Sequence, residues 1–324
     1  MSSRVLFRVD ADPAIGSGHL MRCLALAAQL RARGCAVAFV SRIEPEPLRE
    51  KVRAADFELL DAPARLEGLP LPAQWVVLDG YKFGLAEQRA VKALDVRLMV
   101  IDDMAMQDEY CADLVLNQNV GEGRVAYPGA ARALLGPGYA MLRPEFAAAP
   151  RGAQARGSAK RILLTLGGGA PPQVAQVLFT ALGELGLPLH VRALGVAPEM
   201  PAVSIGSELE CLPYVDDMPA QMAWADLALC AGGSTCWELA CMGVPALITV
   251  LSRDQKMVVE QMTAADCAVS LGWHEDLTPA SVVRALKRLL AGDSALLSMR
   301  QNGPRLVDGL GAARVAEALL EEKQ

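Results

Sequence analysis

Val5-Leu-Phe-Arg-Val-Asp-Ala-Asp12-Pro-Ala-Ile-Gly-Ser-Gly18-His19-Leu-Met-Arg22-Cys-Leu-Ala-Leu-Ala-Ala28 opens the chain with a strand, a glycine turn and a helix in succession. The stretch opens with an apolar, β-branched run of strand length, interrupted by Arg8. The turn carries two glycines, and the Ala/Leu/Met-rich stretch after it predicts a helix lasting to about Arg33-Gly34. A turn of this kind aims free backbone N–H groups and the positive helix end at whatever lies above the sheet. His19 falls in the first helical turn, where a cation is disfavoured and the imidazole tends toward its neutral, proton-accepting form. That suits a general base. A histidine that only packs or hydrogen-bonds near a helix start fits the same residues equally well.

The unit recurs. After Cys35–Ser41, apolar runs at Trp75–Asp79, Arg97–Asp103 and Asp113–Asn117 follow at the spacing of a parallel α/β domain. Each ends in polar residues, namely Asp79-Gly-Tyr81, Asp102-Asp103 and Asn117-Gln-Asn119. Ligands bind outside the carboxyl ends of parallel strands, so these endings are expected to line one cleft, although each one alone reads as ordinary turn chemistry. Asp102 and Asp103 make a poor acid/base pair, because adjacent strand residues point opposite ways. Residues 149–160, rich in Gly, Ala and basic side chains, read as a linker. Then Arg161–Leu166, Gly167-Gly168-Gly169 and a helix from Pro171-Pro172 repeat the opening theme. Strands at 189–194, 209–212, 226–231 and 246–251 continue it, and Gly243 and Pro245 stop the helix at 236–242. The prediction is two Rossmann-like doubly wound domains facing each other, over 1–148 and 161–303. An amphipathic helix follows over 304–324.

Composition narrows the partners. A chain of 324 residues that is 52% hydrophobic but only 5% aromatic suits Val/Ile/Leu strands buried on both faces. A net charge of −6 makes a nucleic-acid backbone an improbable ligand. The first strand starts almost at once, leaving no room for a signal peptide, and no apolar run is long enough to span a membrane. Eight cysteines without a C-x-x-C pair read as small buried hydrophobes in a reducing compartment. Three scattered histidines give little material for a metal site. A cytoplasmic monomer without metal or cofactor is expected.

Two phosphate motifs are excluded. The first turn reads Gly16-x-Gly18-x-x-Met21 and lacks the third glycine of the dinucleotide fingerprint, and neither glycine turn carries Gly-Lys-Ser/Thr. What remains are turns able to surround a diphosphate. Gly232-Gly233-Ser234-Thr235 at a helix start can cradle anionic oxygens. Glu238 then either accepts ribose hydroxyls or closes a capping box with Thr235, and by spacing the cap is the safer assignment.

Phe7–Asp12, Ile15-Gly-Ser-Gly-His-Leu-Met-Arg22, Leu78-Asp-Gly-Tyr81, Ile101-Asp-Asp103, Leu116-Asn-Gln-Asn119, Gly167–Gly169 and Gly232-Gly-Ser-Thr-x-Trp-Glu238 occur in this order. Together they resemble the UDP-sugar hydrolase family of pseudaminic acid biosynthesis, which acts on UDP-2,4-diacetamido-2,4,6-trideoxy-β-L-altropyranose. The second half alone is also similar to UDP-GlcNAc transferases of the MurG type, which share the two-domain glycosyltransferase-B architecture. The resemblance implies that water activated by His19 attacks the anomeric carbon and UDP departs with inversion. It also implies sugar contacts from Asp12, Gly18, Arg22, Tyr81, Asp254 and Gln255. Gly168, Gly169, Gly232, Gly233, Ser234 and Thr235 would hold the diphosphate, with Glu238 on the ribose. The family carries Asn-Gln where this chain has Asp254-Gln255, and an ionised Asp accepts but does not donate hydrogen bonds, leaving a related but different sugar open. A UDP-sugar glycosyltransferase and a nucleotide-sugar-binding protein without turnover are the alternative functions.

Overall fold

The computed structural model describes residues 3–12, 15–121, 123–149, 160–167, 170–195, 208–213, 215 and 217–321. The chain divides into two compact units, Met1–Pro144 with Gly309–Gln324, and Glu145–Asp308. The linker expected at 149–160 lies almost wholly outside the described residues.

The first unit runs β1 (Arg4–Val9), α1 (Gly18–Ala32), β2 (Ala36–Ser41), α2 (Glu46–Ala54), β3 (Glu58–Asp61), β4 (Trp75–Asp79), α3 (Leu85–Lys92), β5 (Arg97–Ile101), β6 (Leu114–Asn117) and β7 (Ala133–Leu135). All seven strands are parallel, in the order β3-β2-β1-β4-β5-β6-β7. β1 is central, so both its faces are covered: Val5, Phe7 and Val9 join one core with Leu20 and Leu26 of α1, and Leu6 joins the other with Val76 and Leu78. Each such side chain contributes roughly 1.5–3 kcal/mol on burial. β3 and β7 are not predicted from sequence, because Glu58-Leu-Leu-Asp61 and Ala133-Leu-Leu135 are too short to carry a period.

After α4 (Pro144–Ala148), the second unit runs β8 (Arg161–Thr165), α5 (Pro172–Glu184), β9 (His190–Leu194), β10 (Glu208–Leu212), α6 (Met218–Trp224), β11 (Leu227–Ala231), α7 (Thr235–Met242), β12 (Ala246–Val250), α8 (Gln255–Ala264), β13 (Ala268–Trp273), α9 (Pro279–Leu290) and α10 (Asp293–Leu306). Its parallel order, β10-β9-β8-β11-β12-β13, repeats the first six positions of the other sheet. In each unit the strand order reverses beside the first strand, between β1 and β4 and between β8 and β11. Such reversals open the crevice where α/β sheets bind ligands.

The end of the chain departs from expectation. Residues 304–306 finish α10, and the last helix, α11 (Gly311–Leu320), starts later and belongs to the first unit. Ala312, Val315, Ala316 and Leu319 share the core of α1 and β1. This accounts for α1, which is apolar nearly all round: one side meets the sheet and another meets α11. The cysteines also divide. Cys23, Cys35, Cys230, Cys236, Cys241 and Cys267 are buried, whereas Cys211 is exposed on edge strand β10 and Cys111 is half-buried; all eight are free thiols.

Candidate active site

β1 ends in the turn that begins α1. Asp12 shapes this turn: its Oδ1 accepts from the Ile15 N–H at 2.7 Å and its carbonyl from the Gly16 N–H at 2.7 Å. Ser17 is the helix cap without a side-chain cap bond, so Gly18 and His19 are the first two helical residues. His19 and Arg22, three apart, lie on one face of α1. That face meets the end of β4, because β4 pairs with β1 and sets Asp79 beside Val9.

There the side chains converge. His19 Nδ1 lies 2.6 Å from Asp79 Oδ1. Arg22 donates from Nη2 to the same Oδ1 at 2.6 Å and from Nε to Asp79 Oδ2 at 2.7 Å. Cys23 Sγ is 3.3 Å from Oδ2. Arg22 Nη1 donates to Asp103 Oδ2 at 2.6 Å. The Asp79 side chain is 0% exposed, Arg22 7% and His19 13%. Burial alone would raise the Asp79 carboxyl, but the Arg22 charge, with His19 beside it, overrides this and holds it far below the usual carboxylate range. A carboxylate that stays ionised at 2.6 Å from Nδ1 requires a proton on Nδ1, since two lone pairs do not approach that closely. In the neutral ring that places the lone pair on Nε2, for which no partner is found among the described residues. Tyr81 stands edge-on to the imidazole, ring centroids 5.3 Å apart, and is 47% exposed.

From sequence Asp79 reads only as part of the strand ending Asp79-Gly-Tyr81, not as the partner of His19. Its signal was present: an ionisable residue closes the wholly apolar run Trp75–Leu78, and a buried charge requires a partner. Arg22 was expected on the sugar, but its guanidinium is buried and committed to two carboxylates. Asp102 and Asp103 do diverge: Asp102 accepts from the amides of Met104 and Met106 and from the Tyr110 hydroxyl. Beside the site, buried Asp10 binds Arg8, Lys82 and the Arg42 amide; against the upward pull of burial these hold its carboxyl low.

In the second unit the turn after β11 leads into α7. Ser234 is the cap and Thr235 the first helical residue, so the capping box of Thr235 with Glu238 does not form. The Gly232 amide is not available to a ligand: it donates to Thr249 O at 3.1 Å and to Gln255 Oε1 at 3.1 Å. Gln255 Oε1 also accepts from the Leu251 N–H at 3.0 Å, making Gln255 a brace between the ends of β11 and β12. The amides of Gly233, Ser234 and Thr235 have no acceptor among the described residues, the arrangement that a helix start offers to an anion. Asp254 is the half-buried cap of α8, with no side-chain cap bond. Gly168 and Gly169 lie outside the described residues. Among the described residues no group of three His, Cys, Asp or Glu side chains is placed to hold a metal ion, and no helix is long and apolar enough to cross a membrane.

The glycosyltransferase family 28 C-terminal domain matches residues 195–314, which include the turn between β11 and α7. MurG of Acinetobacter baumannii superposes with a TM-score of 0.71 over 98% of this chain and 99% of its own, at 16% identity. The fold is glycosyltransferase-B. The spore coat polysaccharide biosynthesis protein SpsG of Bacillus subtilis is 28% identical over 237 residues, 69% of this chain and 69% of that protein. A UDP-N-acetylglucosamine–N-acetylmuramyl-(pentapeptide) pyrophosphoryl-undecaprenol N-acetylglucosamine transferase of Nitrosococcus oceani is 35% identical over 121 residues. That match covers 36% of this chain and 33% of the transferase, so it spans about a third of that relative's length.

Proposed function

We propose that the chain cleaves the bond between the anomeric carbon and the diphosphate of a UDP-linked sugar, with His19 as general base. The observation that carries this is the Asp79–His19 pair, which leaves the Nε2 lone pair to take the proton of an attacking hydroxyl. As that oxygen bonds to the anomeric carbon, the C–O bond to the diphosphate breaks and UDP leaves with the electron pair, inverting the centre. In the second unit, the amides of Gly233, Ser234 and Thr235 have the chemistry to hold a diphosphate and take up negative charge on it. Gly232 serves this turn through its shape, since its own amide is occupied.

The acceptor separates two readings. The matches to transferases support a sugar hydroxyl, hence a UDP-sugar glycosyltransferase. The resemblance of the runs Ile15–Arg22, Leu78–Tyr81 and Leu116–Asn119 to the hydrolase family of pseudaminic acid biosynthesis supports water, hence a UDP-sugar hydrolase. Incubation with UDP-sugars, the diacetamido-trideoxy altrose derivative among them, decides: UDP and free sugar without acceptor support hydrolysis, and UDP release only after an acceptor is added supports transfer. His19→Leu is expected to keep UDP affinity and lose turnover by roughly 10²–10⁴-fold. Near-normal turnover in that variant removes His19 from the chemistry.

A further inference from the structure

We propose that Asp103 is a positioning residue that sets the tautomer of His19 through Arg22 and Asp79; this rests on the reading of His19 as the base. Arg22 Nη2 stands between two acceptors, 2.6 Å from Asp79 Oδ1 and 3.0 Å from His19 Nδ1. Two hydrogen-bond arrangements therefore compete at one spot. In the first, Arg22 forks onto Asp79 and Nδ1–H donates to Oδ1, leaving the lone pair on Nε2. In the second, the guanidinium swings so that Nη2 donates to the Nδ1 lone pair, which places the imidazole proton on Nε2. A neutral imidazole in the second arrangement cannot accept a proton at Nε2. The distances differ by only a few tenths of an ångström, so something must hold the guanidinium on the carboxylate side.

Asp103 is that hold. Its Oδ2 takes Nη1 at 2.6 Å, on the edge of the guanidinium away from the Nε/Nη2 fork. With Nε on Asp79 Oδ2 and Nη1 on Asp103, the planar group is pinned at two of its three nitrogens, which fixes where the third one points. The Asp103 side chain is only 6% exposed, and its Oδ1 is buried without a hydrogen-bond partner. An acid placed only for stability would have that oxygen satisfied. Its one hydrogen-bonded partner among the described residues is Arg22, and through Arg22 it reaches His19. The groups facing His19 are Asp79 from the end of β4, Arg22 from its own helix and Tyr81 from the loop after β4; Cys23 touches the far oxygen of Asp79.

The test reads the imidazole nitrogens by long-range ¹H–¹⁵N spectroscopy at alkaline pH, with the three histidines assigned through His19→Leu. Wild-type His19 is expected to show the Nδ1–H pattern, and a wild-type Nε2–H pattern overturns the proposal before any variant is made. Asp103→Asn, and the smaller Asp103→Ser should the amide not fold, are expected to move His19 toward Nε2–H while His190 and His274 stay unchanged. Turnover should drop, by no more than the roughly 10²–10⁴-fold that a general base contributes, with KM little changed, and Asp103→Glu should restore both. A folded Asp103 variant that keeps the Nδ1–H pattern overturns the inference. The spectra need no substrate. If the wild-type protein turns over no UDP-sugar, the functional reading falls while the tautomer result still decides the role of Asp103.

Discussion

Asp79 is the residue on which the first unit's site turns. It accepts four contacts, from His19, from two nitrogens of Arg22 and from the Cys23 thiol, which fills the acceptor capacity of a carboxylate. Asp79→Asn leaves Arg22 with one charged partner and offers Nδ1 an amide that can turn either way. It is expected to lower turnover on the order of 10²–10⁴-fold and to cost about 3 kcal/mol of stability. Because its folded pKa is depressed, Asp79 stabilises the protein fully above the unfolded value of about 3.9 and progressively less as pH falls below it. The melting-temperature gap between wild type and Asp79→Asn should therefore be full at pH 6 and narrower at pH 3. An equal gap at both would mean that the pair is not ionic. Glu238→Gln is expected to weaken UDP binding well beyond any loss of stability; calorimetric titration with UDP, set beside the melting temperature, checks this.

At the scale of elements, the crossing of the β11–α7 turn over α8 explains why Gly232 is glycine. A Cβ there would lie 2.8 Å from Val259 Cγ2 and 2.9 Å from Gln255 Cβ. Gly233, one residue on, has nothing within 4 Å of a Cβ. Gly232→Ala is therefore expected to cost about 1–3 kcal/mol, whereas Gly233→Ala should stay within about 0.5 kcal/mol, both measured by denaturant unfolding. Equal losses would place the constraint elsewhere. Gly243 is needed for another reason: it ends α7 in the left-handed region at φ 66°, and a Cβ would stand 2.8 Å from Arg300 O of α10. The glycines of Gly232–Thr235 are legible in the sequence as a turn into a helix. Their division of labour is not, because a glycine that admits a neighbour and one that bares an amide look alike in sequence.

Across the whole molecule, the chain leaves the first unit, builds the second and returns α11 to the first. Gly311 makes the return possible: a Cβ would sit 2.3 Å from Ala140 O and 2.5 Å from Tyr139 C. Gly311→Val is expected to lift α11 and bare the core around Leu20 and Leu26. In hydrogen exchange its cost should appear in peptides from 3–144, with those from 160–306 unchanged. Faster exchange spread over both sets would contradict the assignment of α11 to the first unit. The amphipathic tail was legible at the level of Val315 and Leu319, but its later start and its destination were not, because apolar spacing tells that a face is covered and not by what.

Sequence by itself determined that two strand–turn–helix units occur, that His19 sits in the first turn of α1 and that a glycine turn leads from β11 into α7. All three are local, set by side-chain period and glycine chemistry within a few residues. The tertiary structure alone decided which acid meets that histidine. Asp79 is 60 residues from His19, and the two come together because β4 pairs with β1 while β2 and β3 go to the other side. Strand order depends on which faces are buried against which, a property of the assembled sheet that no window of sequence contains.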